Sequence, residues 1–370
     1  MSTIQLALVT ELFYPHVGGQ EVRYFDFCQE LVAQGHEVDV FSLLFSKGLS
    51  LTEKIGRINV HRYAFSPHYV REASRDTVGV LNYSVQTGLR ISTLPSFDAV
   101  IFNQWPLLPA LFAEPLCHTT TIVDWCEPWP TGIANVLQKA VSHLPNGHIT
   151  VSDFIRSWLI ENYGIKPARI KSIPSAIRTS LYRPNPKDKM KGKVVFVGRL
   201  TKHKRPDILV EAIRMARKEC RDITLDIVGP GPMFRMLKEK IGSDESGIRL
   251  HGFLTDEEKI RHLKEAWVLV LLSEREGFPR VVAEALAAGT PIITSDSPNN
   301  GTKYILNNTE AGIVCSPTPK EVASELVNLY NDTGRWEKMS NNALVSSTQF
   351  DLRNVTKQLV TFIRSLSGVD

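Results

Sequence analysis

Two carboxylates, Glu276 and Glu284, flank a Gly-Phe-Pro step in the stretch SEREGFPRVVAEALAAGTP, residues 273–291. Pro279 suits the first turn of a helix, and the apolar pattern of residues 280–288 predicts that the helix continues there. Glu276 then precedes the helix, and Glu284 lies about two turns inside it. Eight steps of roughly 100° leave the two acids about 80° apart, so they do not share a helical face. Each acid therefore needs its own explanation.

Glu276 stands beside backbone donors that a helix start leaves without internal partners. We expect Glu276 and the N–H groups of Gly277 and Phe278 to point together into a ligand-binding cleft, where a carboxylate suits the hydroxyls of a sugar. The alternative is that the acid only stabilises the helix dipole, which would explain Glu276 alone. Glu284 suits the diol of a ribose, because a carboxylate can accept two hydrogen bonds at once. Its neighbours look buried: Val281, Val282, Ala285 and Ala288.

A double glycine, Gly18-Gly19, lies in the stretch ELFYPHVGGQEVRYF, between a predicted strand that ends near Thr10 and a predicted helix that begins near Gln20. Glycines at such a turn let backbone N–H groups approach an anion. The alternative is that they only form a tight turn. The spacing is not a GxGxxG fingerprint.

A second candidate phosphate loop is VVFVGRLTKHKRPDILVEAI, in which a predicted strand ends at Gly198 and a helix begins at Pro206. Arg199 and Lys204 lie between them. Arginine can bind phosphate oxygens through two parallel hydrogen bonds, and lysine supplies a compact charge, so the pair suits a diphosphate. A solvated basic turn is the alternative, and it is preferred for Lys202 and His203. The spacing of a Walker A loop is absent.

Short β-branched runs alternate with stretches of helical period twice along the chain, which is typical of βαβ units and parallel sheets. One helix is expected from about Glu21 to Gln34, ending before Gly35. The run LYRPNPKDKMKGK, residues 181–193, lacks apolar period and is interpreted as a linker. The strand candidates are IQLALV, VDVFSL, AVIFN, TTTIVDW, HITVS and IKSIP, followed by VVFVGR, LDIVGP, IRLHG, VLVLLS, PIITSD and GIVCS.

The pattern predicts an α/β protein with two Rossmann-like, doubly wound domains that face a central cleft, where ligands of such sheets bind. We place the N-terminal domain at residues 1–185 and the C-terminal domain at residues 190–345. A length of 370 residues also favours two domains. The end of the chain has an apolar helical stripe that must be buried: Leu352, Val355, Leu359, Phe362 and Ile363.

Composition argues against several classes of protein and of binding site. The net charge of +4 is mild and no basic block occurs, so nucleic acid is not an expected partner. Five scattered cysteines without a CxxC pair argue against a disulfide framework and a zinc site. The N-terminus lacks the features of a signal peptide, and no run of about eighteen apolar residues occurs. We expect a cytoplasmic protein, with peripheral contact at the inner face of the membrane as the alternative.

The stretch EREGFPRVVAEALAAGTPIITSD resembles the Glu-x7-Glu signature of retaining nucleotide-sugar glycosyltransferases with the GT-B fold, and is most similar to glycosyltransferase family 4. The resemblance covers most of the chain, and the order and spacing of its motifs together are specific. The other motifs are FYPHVGGQE, VSDFIRSWLIENYGI before IKSIPSAI, VGRLTKHKRP, LDIVGPGP, IRLHGFL and FDLRNVTKQLVTFI.

The resemblance implies a donor site in the C-terminal domain and an acceptor site in the N-terminal domain, onto which a helix at residues 350–368 crosses back. It implies that no metal and no cofactor are needed. Glu276 would hold donor-sugar hydroxyls, Glu284 the ribose, and Phe253 would lie near the base. Arg199 and Lys204 would hold the diphosphate, and Gly19 would contact the reacting phosphate. The implied donor-binding set is Gly18, Gly19, Arg199, Lys204, Phe253, Glu276, Gly277, Phe278, Pro279 and Glu284, with Glu276, Asp124, Arg199 and Lys204 as the catalytic candidates.

Three positions depart from the family pattern. Asp124 stands where many members have histidine, Ser175-Ala176 replaces a common Asn-Gly, and an acid near residues 302–304 is missing. An ionised carboxylate only accepts hydrogen bonds, so Asp124 would need a cation or a hydroxyl proton to offset its charge near a diphosphate. Its alternative role is to close the turn DWCEPWP.

The sequence therefore predicts a retaining hexosyltransferase that uses a nucleoside-diphosphate sugar, with UDP favoured over GDP. The acceptor would be a hydroxyl of a glycan, a glycolipid or a small metabolite. Two alternatives stay open: a sugar-nucleotide-binding protein without efficient transfer, and a sugar-nucleotide epimerase of the same fold. Residues 61–77 are a candidate acceptor rim or membrane contact, although an ordinary solvated loop is preferred.

Overall fold

The computed structural model describes residues 2–66, 77–93, 97–113, 119–127, 132–185, 188–242 and 247–368. The chain divides into two compact units, the first formed by Met1–Pro174 with Leu352–Asp370 and the second by Ser175–Asp351. Most of the candidate acceptor rim at residues 61–77 lies outside the described residues. Within the described part of the chain, no helix has both the length and the apolar character needed to cross a membrane.

The first unit is built on a largely parallel sheet, in which a chain order of strand, helix, strand buries apolar side chains between the layers. Its strand order is β3-β4-β2-β1-β5-β6-β7-β8, and only β3 pairs antiparallel with its neighbour among the described strands. The elements are β1 (Gln5–Val9), α1 (Gly19–Ala33), β2 (Glu37–Leu43), β3 (Thr52–Ile55), β4 (Ile58–Tyr63), α2 (Thr77–Thr93), β5 (Ala99–Asn103), α3 (Leu108–Ala113), β6 (Thr120–Trp125), α4 (Gly132–Val141), β7 (Gly147–Thr150), α5 (Asp153–Tyr163) and β8 (Ile170–Ser172).

The second unit repeats the plan with a parallel sheet of order β11-β10-β9-β12-β14-β16 and a short parallel pair, β13 with β15. The elements are β9 (Lys193–Val197), α6 (Pro206–Glu219), β10 (Thr224–Val228), α7 (Phe234–Ile241), β11 (Ile248–Gly252), α8 (Asp256–Glu265), β12 (Val268–Leu271), β13 (Arg275–Glu276), α9 (Arg280–Ala287), β14 (Ile292–Ser295), β15 (Asn299–Asn300), α10 (Gly301–Thr309), β16 (Gly312–Cys315), α11 (Pro319–Asn331) and α12 (Thr333–Ser347).

The last helix, α13 (Leu352–Ser367), belongs to the first unit and packs on α1. The Gln34 side chain at the end of α1 donates a 2.7 Å hydrogen bond to Thr356 Oγ1. The apolar stripe predicted for this helix is buried, with Val355 and Ile363 fully so. The strands predicted from the sequence are all present, and so is the helix before Gly35, whose φ of 91° suits a glycine after a helix end.

The predicted linker is wrong, because the division of the chain falls at Ser175 and the described part of residues 181–193 belongs to the second unit. Tyr182 is 5% exposed within the core of that unit. The Lys189 ammonium donates to the carbonyls of Leu263 and Ala266 at the end of α8, at 3.5 and 3.0 Å. Burial lowers the pKa of Lys189 to about 7. The segment is rich in lysine and proline and therefore suggested a solvated linker, but Lys189 binds backbone carbonyls inside the unit.

Candidate functional site

The carboxyl ends of β9 and β10 place two glycine-containing loops side by side in the second unit. The N–H of Leu200 donates to the carbonyl of Pro230 at 2.8 Å. A Cβ atom on Gly229 would lie 2.1 Å from the carbonyl oxygen of Gly198, and one on Gly231 would lie 2.4 Å from that of Leu200. Gly229 and Gly231 also have positive φ, at 133° and 157°. Only glycine permits this backbone approach, which fixes the loop that carries Arg199.

Gly229→Ala should lower the free energy of unfolding by about 2 kcal/mol, because the methyl group meets a neighbouring backbone in addition to the strain of a positive φ. Gly242→Ala is the matched control: Gly242 has a φ of 76°, but no atom of the described residues is found within 4 Å of its Cβ position. Urea unfolding would measure both variants. An equal loss in the two would mean that the contact between the loops contributes nothing.

Arg199 and Lys204 follow β9 on the loop predicted to bind a phosphate. The Arg199 side chain is exposed and, among the described residues, no ion pair or side-chain hydrogen bond engages it. Lys204 ends a short 3-10 turn, Lys202–Lys204, and Arg205 then takes a left-handed conformation, with φ at 52°, before Pro206 begins α6. The fold therefore presents two cations next to a helix N-terminus, an arrangement that favours anions.

Glu276 contacts Lys204 directly, although 72 residues separate them along the chain. The ammonium of Lys204 forms an ion pair with Glu276 Oε1, and the hydroxyl of Ser273 donates to the same oxygen at 3.0 Å. Both charged side chains keep about a seventh of their surface exposed, at 15% and 14%. The structure thus brings together two residues that sequence reasoning had placed in separate loops, and it adds Ser273.

The Gly-Phe-Pro step connects Glu276 to α9. Pro279 is the N-cap of α9, with the extended φ and ψ of −74° and 121°. The ring of Phe278 packs against Phe350 at 5.2 Å between centroids. A Cβ on Gly301 would meet the carbonyl of Gly277 at 2.3 Å, so the start of α10 lies against this step. The Phe278 side chain is therefore used for packing, and what the step offers a ligand is backbone.

Glu284 is 2% exposed and lies in α9 among apolar side chains, as its sequence neighbours predicted. Its Oε1 pairs with the ammonium of Lys259 on α8 at 3.2 Å. Burial opposes the charge of Lys259, but Glu284 and Asp256 outweigh it, so the pKa of Lys259 is raised. Burial and a hydrogen bond with Glu284 raise the pKa of Tyr182. Sequence reasoning missed Lys259 and Tyr182, since no local pattern links either residue to α9.

Phe253 follows β11 directly and is 72% exposed. Gly252 before it has a φ of 72°, and a Cβ there would meet the ring of Phe234 at 3.3 Å. An exposed aromatic ring held by a constrained turn is suited to stack on a base.

The glycine pair of the first unit begins α1, with Gly18 as the N-cap at φ −153°. Neither Gly18 nor Gly19 has a positive φ, and nothing lies within 4 Å of a Cβ on Gly19. The turn itself therefore does not require glycine at position 19. The small residue leaves open space beside the first amides of α1, which keeps the predicted backbone contact with a ligand sterically possible.

Asp124 is the next-to-last residue of β6 and is fully buried. Its Oδ2 pairs with the guanidinium of Arg23 and accepts a 2.8 Å hydrogen bond from the hydroxyl of Tyr24, both on α1. A cation and a hydroxyl proton thus offset its charge, as the sequence argument required. Within the described residues, no side-chain hydrogen bond joins Asp124 to the turn that follows β6. Residues 128–131 of that turn lie outside the described part of the chain, so the alternative role of Asp124 in closing the turn stays a prediction.

Asp226, His251 and His262 are the one group in the described part of the chain whose ligand atoms cluster as a metal site would, all within 4.8 Å of one another. Burial raises the pKa of Asp226, but hydrogen bonds from both histidines and the charge of Lys193 outweigh it and hold the pKa well below its usual range. The Lys193 ammonium lies 3.3 Å from the carboxylate. That neighbouring positive charge opposes a bound cation.

Two family models match the chain. Residues 17–181 match the model described as Glycosyltransferase Family 4, and residues 178–345 match Glycosyl transferases group 1. Among curated proteins, the O-antigen biosynthesis glycosyltransferase WbnH of Escherichia coli is 28% identical over 219 residues, or 59% of this chain and 60% of that protein. The chain spans between 22% and 60% of the length of the curated relatives it matches first.

Solved structures share the fold over nearly the whole chain. A sucrose-phosphate synthase from Thermosynechococcus elongatus has a TM-score of 0.81 and 17% identity, with 99% of this chain and 100% of that chain covered. Anabaena Alr3699/HepE, solved in complex with UDP and glucose, has a TM-score of 0.76 and 17% identity, with 98% of this chain and 100% of that chain covered.

Two α/β domains with parallel sheets, one after the other along the chain, make up the GT-B fold of glycosyltransferases. The chain belongs to the glycosyltransferase family, whose two models together span residues 17–345. The predicted fold class and the predicted glycosyltransferase family are confirmed, and the retaining mode stays a prediction.

Proposed function

We propose that the protein transfers a hexose from UDP-hexose to a hydroxyl of a glycan acceptor, with retention of the anomeric configuration and without a metal ion. The observation that carries the proposal is the cluster of Lys204, Ser273 and Glu276 beside the exposed Arg199. The choice of UDP is supported by the UDP and glucose complex of Alr3699/HepE. The choice of a glycan is supported by the O-antigen role in the name of WbnH.

In the proposed reaction, the bond between the anomeric carbon and the diphosphate oxygen breaks, and the acceptor oxygen bonds to the same face of the sugar. The acceptor's proton passes to the departing phosphate oxygen. Arg199 and Lys204 stabilise the negative charge that develops on the diphosphate, which is where fixed cations lower a barrier most. Glu276 accepts hydrogen bonds from sugar hydroxyls, and Glu284 accepts those of the ribose.

The Lys204–Glu276 ion pair gives the proposed site a means of preparing both groups before the donor binds. Each charge holds the other in place, so the two side chains lose less conformational entropy when the ligand binds. A diphosphate that contacts Lys204 shares its ammonium with Glu276. The lysine can serve both partners because an ammonium has three donors.

The experiment follows UDP release from UDP-glucose and other nucleotide sugars, with a broad acceptor set, in the presence and absence of EDTA. Glu276→Gln should lower turnover by about 10- to 100-fold, since one charged hydrogen bond contributes roughly 1.5–3 kcal/mol, and should leave UDP affinity unchanged. The matched control is Glu274→Gln, because Glu274 is 51% exposed and pairs with Arg205 at 3.0 Å. The control should keep full turnover.

Several outcomes would contradict the proposal. Tight UDP binding without release from any donor would favour a sugar-nucleotide-binding protein. A product with the opposite anomeric configuration, read from its proton NMR coupling, would exclude retention. Loss of activity in EDTA that a divalent cation restores would exclude the metal-free mechanism.

A further inference from the structure

Asp124, near the end of β6, is held by α1, the helix that begins at the glycine pair. Arg23 and Tyr24 lie four and five residues after Gly19 in α1, and both contact the same oxygen of Asp124. Arg23 also donates from its second terminal nitrogen to the carbonyl of Ile173, just after β8, at 3.1 Å. The first turns of α1 are therefore fastened to the ends of two strands of the same sheet.

The contacts continue toward the start of the helix. Gln20 donates from its amide to the hydroxyl of Tyr24 at 3.2 Å, so the network reaches the residue next to Gly19. On the other side, the guanidinium of Arg23 lies over the ring of Phe27, 4.8 Å from its centroid. Arg23 and Asp124 are both fully buried.

A direct contact between Asp124 and a sugar does not fit this geometry. The second carboxylate oxygen, Oδ1, is buried and has no hydrogen-bond partner among the described atoms. Arg23 and Tyr24 occupy only Oδ2, but Asp124 has no exposed surface, so a sugar could reach the free Oδ1 only if the side chains that cover it moved. Burial and the ion pair together therefore hold the side chain away from a ligand.

We propose that Asp124 is a positioning residue: with Arg23 and Tyr24 it fixes the N-terminal turns of α1, and so the backbone of Gly18 and Gly19, at the ends of β6 and β8. The inference rests on the proposed function for the part that Gly18 and Gly19 play in transfer. Asp124 would then act through α1, at a position where many members of the family that the sequence resembles have histidine.

Tyr24→Phe is the mildest test, because it removes one hydroxyl from the network and keeps the ring. Hydrogen exchange of the amides of residues 19–22 should become faster, and kcat should fall roughly fivefold, the effect of about one lost hydrogen bond. KM for the nucleotide sugar and the affinity for UDP should change less than kcat, because most of the proposed donor contacts lie in the second unit. Unchanged exchange together with unchanged kcat would overturn the inference.

A double-mutant cycle decides between positioning and direct contact. Arg23→Met and Asp124→Leu should each speed exchange in α1 and lower kcat, since each leaves one buried group unpaired. The combination of the two should recover part of the slow exchange and part of kcat, because a buried ion pair can be replaced by apolar residues of similar volume, whereas the bonds to Tyr24 and to the carbonyl of Ile173 stay lost. A double variant whose exchange recovers in this way while its kcat stays as low as that of Asp124→Leu would show that the carboxylate contacts the substrate.

The two proposals can fail separately. If the wild-type protein binds UDP but transfers no sugar, the proposed function fails. The exchange measurements still decide whether Asp124 fixes α1, because they need no activity. Faster exchange in Tyr24→Phe, together with slower exchange in the double variant than in Arg23→Met or Asp124→Leu alone, would support the positioning role in either case.

Discussion

Lys204→Ala should lower the turnover of sugar transfer by about 10²- to 10³-fold, the usual effect of removing one fixed group that stabilises developing charge. Lys204 is the cation that contacts Glu276, so its loss removes a proposed diphosphate contact and releases the proposed sugar contact at once. Steady-state kinetics with UDP-glucose would measure the change.

The matched control for this variant is Lys202→Ala. Lys202 lies two residues earlier in the same 3-10 turn and is exposed, and the sequence favoured a solvated role for it. Its removal should change turnover by less than about threefold, because exposed charges have small effects. Equal losses in the two variants would point to a general effect of positive charge and would contradict a specific role for Lys204.

Glu284→Ala should have two separate effects, on UDP affinity and on stability. The affinity for UDP should fall through the loss of about 1.5–3 kcal/mol of hydrogen bonding to the ribose. The free energy of unfolding should fall by about 1–3 kcal/mol, because Lys259, which is 22% exposed and still pairs with Asp256, loses one of its two acids. Calorimetry with UDP and urea unfolding, both done where the variant is folded, would measure the two effects.

Two comparisons separate these effects of Glu284. Asp256→Asn removes the other acid that pairs with Lys259, at 3.2 Å, but Asp256 is 89% exposed, so stability should change by less than about 1 kcal/mol. Glu276→Ala should slow transfer and leave UDP affinity intact. A folded Glu284→Ala variant that binds UDP as the wild type does would refute the ribose assignment. Equal affinity losses in the variants of Glu276 and Glu284 would refute the division of roles between them.

Much of the fold follows from local patterns that the sequence displays directly. The β-branched runs of both halves form strands, and Gly35 and Pro206 mark a helix end and a helix start. These predictions succeed because periodicity, glycine and proline act within a few residues. The hairpin of β3 and β4 was not predicted, since its strands are short and carry polar residues on the outer face.

The division of the chain could not be read from composition. A Pro- and Lys-rich run looked like a linker, whereas Lys189 binds the carbonyl ends of α8 and Tyr182 enters the core. From a sequence alone, a charged residue is interpreted as solvent-exposed, because a partner far away along the chain cannot be recognised. The partner lies more than seventy residues away along the chain.

The sequence by itself indicated the kind of ligand: the two acids around Gly277–Pro279, the cations after β9 and the glycines before α1 suit a nucleotide sugar, and the family resemblance added the expectation of sugar transfer. Only the tertiary structure decided which buried charges meet, namely Lys204 with Glu276, Lys259 with Glu284 and Arg23 with Asp124. The reason is physical. Residue types and spacings fix local backbone structure, but the pairing of charges depends on sheet register and helix packing, which join residues 25 to 101 positions apart.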